Sequence, residues 1–112
     1  MRGLFLRRAF PEPGPKTVTI TVTGTGHKTY CYLTMPDSTK VYSAGTYEVE
    51  SGSTIVCYAQ AIGSYGSVVL NGTEVAGGSN TATYNYTVTK SATIHLSSWS
   101  FAADMVITIT EG

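Results

Sequence analysis

From Thr17 onward the chain is patterned in twos. Val18, Ile20 and Val22 alternate with Thr17, Thr19, Thr21 and Thr23, and because a strand sends successive side chains to opposite faces, this spacing makes one apolar and one polar face. The same alternation returns with Cys31, Leu33 and Met35 against Tyr30, Tyr32 and Thr34, and with Tyr47 and Val49 against Thr46, Glu48 and Glu50. Ile55, Cys57 and Ala59 repeat it, as do Ala82, Tyr84, Tyr86 and Val88, then Ala92, Ile94 and Leu96, and last Met105, Ile107 and Ile109. Short strands are expected near Lys40 to Tyr42 and Val68 to Leu70. No stretch carries the helical period, so every element is predicted to be a strand.

The punctuation agrees. Asn71-Gly72 stands between Val68–Leu70 and Thr73–Ala76, and this dipeptide tolerates the positive φ that a type I′ turn demands, so a hairpin is predicted there. The run Gly77, Gly78, Ser79, Asn80 reads as a loop, and the strand after it, Ala82 to Val88, as a central one. Seven to nine short strands with Gly- and Asn-rich turns predict two antiparallel sheets packed face to face, an all-β immunoglobulin-like sandwich. At 112 residues there is room for one such core, since an ordinary core needs roughly 100 residues. The surface it would show is short of charge: charged residues make up 12% of the chain and apolar ones 42%, which excludes a disordered polymer.

Residues 1–16 differ from the rest. Pro11, Pro13 and Pro15 alternate there, each fixing its own φ and holding its predecessor extended, so this piece reads as a stiff spacer ahead of a domain spanning 17–112. Arg2, Arg7, Arg8 and Lys16 against Glu12 give this arm a balance of +3; the whole chain is neutral, so the domain carries −3. Lys28, Lys40 and Lys90 are scattered, which argues against a nucleic-acid surface on the domain.

Leu4, Phe5 and Leu6 are cut off by Arg7 and Arg8 before an apolar signal region can form, and no run approaches the roughly 20 apolar residues of a membrane span. A soluble or protein-docked chain made in a reducing compartment is expected. On that ground Cys31 and Cys57, both inward-facing, are read as buried thiols in preference to an inter-sheet disulfide. The sequons at Asn71 and Asn85 have meaning only on a secretory route and are read as coincidence.

Catalytic chemistry has no candidate constellation. Glu48 and Glu50 share a strand face about 7 Å apart, which suits a shared cation or a hydrolase pair, but acids on a strand edge more commonly discourage edge pairing. His27 lies in a Gly-rich turn and His95 faces away from Ile94 and Leu96, so neither has a second ligand at metal spacing. No serine sits in a nucleophile-elbow context, and no glycine loop precedes a helix that would bind phosphate. No metal, cofactor or enzymatic activity is expected.

Two regions are candidates for binding. In the arm, Leu4, Phe5, Leu6 and Phe10 surround Arg2, Arg7 and Arg8, and so short a piece cannot bury its own apolar groups. The arm is therefore expected to lie along a neighbouring subunit, apolar groups in pockets and arginines on carboxylates. In the loop around Trp99 and Phe101, and at Tyr65 between Gly63 and Gly66, aromatic rings stand among small residues. Trp99 is either a core plug or a contact residue; Tyr65 leans toward surface contact.

The segments TYCYLTM, SAGTYEVESGSTIVCYAQ, VVLNGTEVA and ATYNYTVTKSATIHLS, in that order, resemble the small immunoglobulin-like domains of structural proteins from phages and prophages of Gram-positive bacteria. The likeness covers about Thr17 to Gly112 and does not reach the arm. It implies a non-enzymatic accessory protein of the virion, either decorating the head or associated with the tail, present in many copies and held to the major capsid or tail protein. The expected location is the phage particle, after synthesis in the bacterial cytoplasm, with no nucleic-acid or membrane partner. The alternative is a bacterial surface module that holds a glycan by stacking on Tyr65, Trp99 and Phe101.

Overall fold

The alternating segments become ten strands in a computed structural model that describes residues 16–112. They are β1 (Thr17–Thr25), β2 (Cys31–Thr34), β3 (Lys40–Val41), β4 (Ser43–Glu50), β5 (Thr54–Gln60), β6 (Gly66–Leu70), β7 (Thr73–Ser79), β8 (Thr81–Thr87), β9 (Ala92–Leu96) and β10 (Met105–Glu111). The count exceeds the seven to nine expected, partly because β3 is a two-residue strand paired only at its own ends with Thr34 and Leu33. No helix occurs among the described residues.

Two sheets form a sandwich, one of six strands in the order β4-β1-β9-β10-β6-β7 and one of four in the order β3-β2-β5-β8. Ile20, Val22, Val49, Val68, Ile94, Leu96, Met105, Ile107 and Ile109 from the first sheet meet Cys31, Leu33, Val41, Ile55, Cys57, Ala59, Ala82 and Tyr86 from the second. All of these are buried, and no polar or charged residue is buried among those described. Period-two patterning thus places these residues in the space between sheets, where removal of apolar surface from water stabilises the fold by roughly 25 cal/mol per Å².

Three expectations are corrected. The larger sheet is mixed, since β1 runs parallel to β9 (Ile20 beside Ala92) and β10 parallel to β6 (Met105 beside Gly66). A parallel pair needs a long crossover, usually a helix; here the crossovers pass through strands of the opposite sheet. Among the described residues β8 is an edge strand, paired only with β5. Gly77, Gly78 and Ser79 belong to β7, leaving Asn80 alone to carry the chain from one sheet to the other. Gly78, at φ +88°, has the left-handed backbone that makes so sharp a corner feasible. The reading of Cys31 and Cys57 as buried thiols, by contrast, stands: they lie on adjacent strands of one sheet, diagonal to each other because Cys57 pairs with Leu33 and Cys31 with Ala59. They are free, buried thiols, and a bridge between sheets has no basis.

The hairpin at Asn71-Gly72 forms as its chemistry requires. Both residues have positive φ, +50° and +86°, and Leu70 pairs with Thr73 across the turn. The turn is also fastened from outside: Asn71 Nδ2 donates to Glu111 Oε1 at 2.9 Å, and Glu111 N returns a bond to Asn71 Oδ1 at 2.9 Å. Glu111 Oε2 accepts from the hydroxyl of Tyr86 at 2.7 Å, tying β10 of one sheet to β8 of the other.

Candidate functional site

Strand direction divides the sandwich into two ends. β1 enters at Thr17 beside Glu50 and leaves at Thr25 beside Ser43, so its nine residues carry the chain roughly 30 Å. The entry end holds Lys16, the turn at Gly52, the Pro36–Ser38 turn and Asn71-Gly72, while the far end holds the loops before β2, after β5 and before β10.

At the far end, the β5–β6 and β9–β10 loops clasp each other. Ala102 N donates to Ile62 O at 2.8 Å, Met105 N to Tyr65 O at 3.0 Å, and Asp104 Oδ1 accepts from Ser64 Oγ and from Tyr65 N. Those bonds, the serine hydroxyl foremost, hold the Asp104 carboxyl below its ordinary range. The clasp displays Tyr65 and Phe101 to solvent, at 63% and 72% exposure. Trp99 is turned the other way: it packs against the core and stacks on Tyr30 with centroids 4.9 Å apart and ring planes 20° apart. His27 completes the cluster 4.8 Å from Tyr30 and 6.0 Å from Trp99. Trp99 Nε1 is buried and has no hydrogen-bond partner among the described residues. Of the three aromatics singled out in the sequence, therefore, two share an exposed tip and the third is mainly packing.

The entry end bears a feature that the sequence reading missed. A cleft of about 450 Å³ opens between β4 and the β2–β3 turn, lined by Met35, Pro36, Asp37, Thr39, Tyr47, Glu48, Val49, Glu50 and Ser53. Its floor is apolar and its rim carries three carboxylates. Asp37 accepts from Thr39 N at 3.0 Å, which holds its carboxyl below the usual range. Glu48 accepts from Thr19 Oγ1 at 2.7 Å. Among the described residues β4 pairs only with β1, so its other edge is unpaired. The detectable signal was Tyr47 and Val49 facing inward on the strand whose outer face carries Glu48 and Glu50.

The remaining candidates separate. His95 lies exposed on β9, its Nδ1 2.9 Å from Thr23 Oγ1, and takes no part in the His27 ring cluster. Among the described residues no three His, Cys, Asp or Glu side chains gather as a metal site, and no helix is long and apolar enough to cross a membrane. Burial pushes the Cys57 thiol up to about 12, and Cys31 rises for the same reason, partly offset by Ser97. A second aromatic group missed in the sequence lies on the outer face of the smaller sheet: Tyr32 and Tyr58 pair across strands at 5.1 Å, with Lys40 Nζ 4.2 Å over the Tyr32 ring. Arg2, Leu4, Phe5, Leu6, Arg7, Arg8 and Phe10 lie outside the described residues.

Comparison with known proteins gives no match to any family model, curated protein or solved structure.

Proposed function

We propose that this chain is a non-enzymatic accessory protein of a phage particle, an immunoglobulin-like sandwich held to neighbouring subunits through residues 1–16. The observation that carries the reading is polarity along the molecule. The chain enters the sandwich at one end, at Lys16, whose carbonyl accepts from Ser51 N at 2.7 Å, and the exposed aromatic tip is at the other. A basic, apolar arm at the anchored end and a weakly charged surface beyond it suit a subunit standing on an assembly. Two sheets in about a hundred residues fit the size of immunoglobulin-like domains, whereas the two parallel pairings depart from the purely antiparallel form. Cosedimentation with purified particles tests the anchor: Phe5→Ser/Arg7→Glu/Arg8→Glu should abolish binding, and undiminished binding removes the proposal.

A second reading rests on Tyr65 and Phe101, whose exposed rings on one clasped pair of loops could stack on a sugar. A glycan array with Tyr65→Ala/Phe101→Ala beside the wild type separates the two, because a virion subunit without receptor function shows no sugar preference.

A further inference from the structure

We propose that the acid-rimmed cleft beside β4 is the receptor for the N-terminal arm of a second copy of this chain, so that copies join through their entry ends. This rests on the reading that the arm is an anchor, and it names the partner.

Three observations converge on that occupant. The first is charge: Asp37, Glu48 and Glu50 rim the cleft, and the arm brings Arg2, Arg7 and Arg8. The second is shape and chemistry. The cleft floor of Met35, Tyr47 and Val49 runs along an unpaired strand edge, and an extended peptide can add to such an edge through its main chain while alternate side chains fill the floor. In an extended arm Leu4, Leu6 and Phe10 share one face with Arg2 and Arg8, which sets apolar groups on the floor between two cations, and Arg7 falls on the other face beside Phe5, the side on which Glu48 and Glu50 stand. Carboxylates on an edge deter pairing with a neutral strand or with another β4, yet favour a basic one, so the same residues select this partner.

The third observation decides between the chain's own arm and another's. β1 begins just after Lys16, whose carbonyl accepts from Ser51 N, the residue that follows Glu50 of the cleft lining. To reach its own cleft the arm would have to reverse direction within residues 11–15, where Pro11, Pro13 and Pro15 favour extended backbone spanning about 15 Å. A linker of this composition favours a neighbour's cleft over the chain's own.

Sedimentation velocity on the full chain across a broad concentration series tests this. The wild type should self-associate, and Arg7→Glu/Arg8→Glu or Glu48→Lys/Glu50→Lys should each weaken association by about tenfold or more, because each sets like charges together. Mixing the two variants restores complementary arms and clefts, so association should return in the mixture; this recovery also shows that both variants are folded. A wild type that stays monomeric throughout, or a cleft variant that associates as well as the wild type, overturns the proposal. Particle cosedimentation separates it from the anchoring reading. If the arm variant loses particle binding while the cleft variant keeps both particle binding and self-association, the arm is an anchor and the cleft is not its receptor.

Discussion

Replacing Tyr86 by Phe removes one hydroxyl and leaves the ring, so it isolates the bond that joins the two sheets through Glu111. The ring is buried, at 2% exposure, and its hydroxyl lies 2.7 Å from Glu111 Oε2. A hydrogen bond to a charged group contributes about 1.5–3 kcal/mol when sheltered, and the partial exposure of Glu111 discounts this to about 1–2 kcal/mol. For a domain of this size that is a fall of roughly 5–10 °C in Tm. The pH dependence supplies a sharper signature. The Tyr86 hydroxyl, followed by the Asn71 amide, lowers the Glu111 carboxyl below its ordinary 4.5. Its contribution is therefore complete above that value and is lost as pH falls through the depressed one. Tyr86 itself is raised above 10, first by burial and then by its bond to Glu111. That contribution is complete below pH 10 and is lost as pH rises through the raised value. Urea unfolding followed by Trp99 fluorescence, at neutral pH and at acid pH below the Glu111 transition, should show a wild-type advantage that shrinks in acid. A difference below about 0.3 kcal/mol at neutral pH, or one unchanged in acid, would refute the assignment of this bond as a tie between sheets.

Other expectations follow from the core and the turns. Ile107→Ala, at a fully buried central position of β10, should cost about 2–5 kcal/mol in chemical denaturation. Gly24→Ala should be at least as disruptive as a strained backbone position allows, about 1–3 kcal/mol, because Gly24 has φ +81° and an added methyl would run into the Leu96 carbonyl; a neutral result by calorimetry would contradict the β1–β9 packing. Cys31 and Cys57 should resist a thiol reagent in the native state and react together on unfolding, since both are buried and Cys57 is pushed up to about 12. Gly72→Val should destabilise the β6–β7 hairpin through its positive φ, with calorimetry showing a lower Tm.

How far the sequence could be read depended on the range of the interaction behind each feature. Burial along a strand is a local property, so Ile20, Val22, Leu33, Ile55, Ile94 and Ile107 were all identifiable as inward from their alternation, and all are buried. The Asn71-Gly72 turn was legible for the same reason, because the two residues carry their own backbone preference. Which strands become neighbours is another matter. Ile20 lies beside Ala92 only after seven intervening strands have been laid down, and nothing in either segment marks that pairing. The edge position of β8 and the shared sheet of Cys31 and Cys57 were hidden likewise. At the candidate sites, the exposure of Tyr65 and Phe101 was expected, whereas the stacking of Trp99 on Tyr30 joins residues far apart in the chain. The cleft escaped notice because its two walls come from different sheets and only the acidic one has a local signature.

The parallel seam between β1 and β9 has a consequence for how the chain is made. Ribosomal synthesis delivers Thr17–Thr25 first and Ala92–Leu96 nearly last, so the opening strand must wait for most of the polypeptide before that side is closed. β4 is available to it sooner, and the β6–β7 hairpin sooner still relative to its own emergence, which makes the final step a long-range closure of the slow kind typical of non-local β topologies. Until that step the nascent chain presents an unclosed strand, an aggregation-prone surface, so a chaperone that shields it would act during translation.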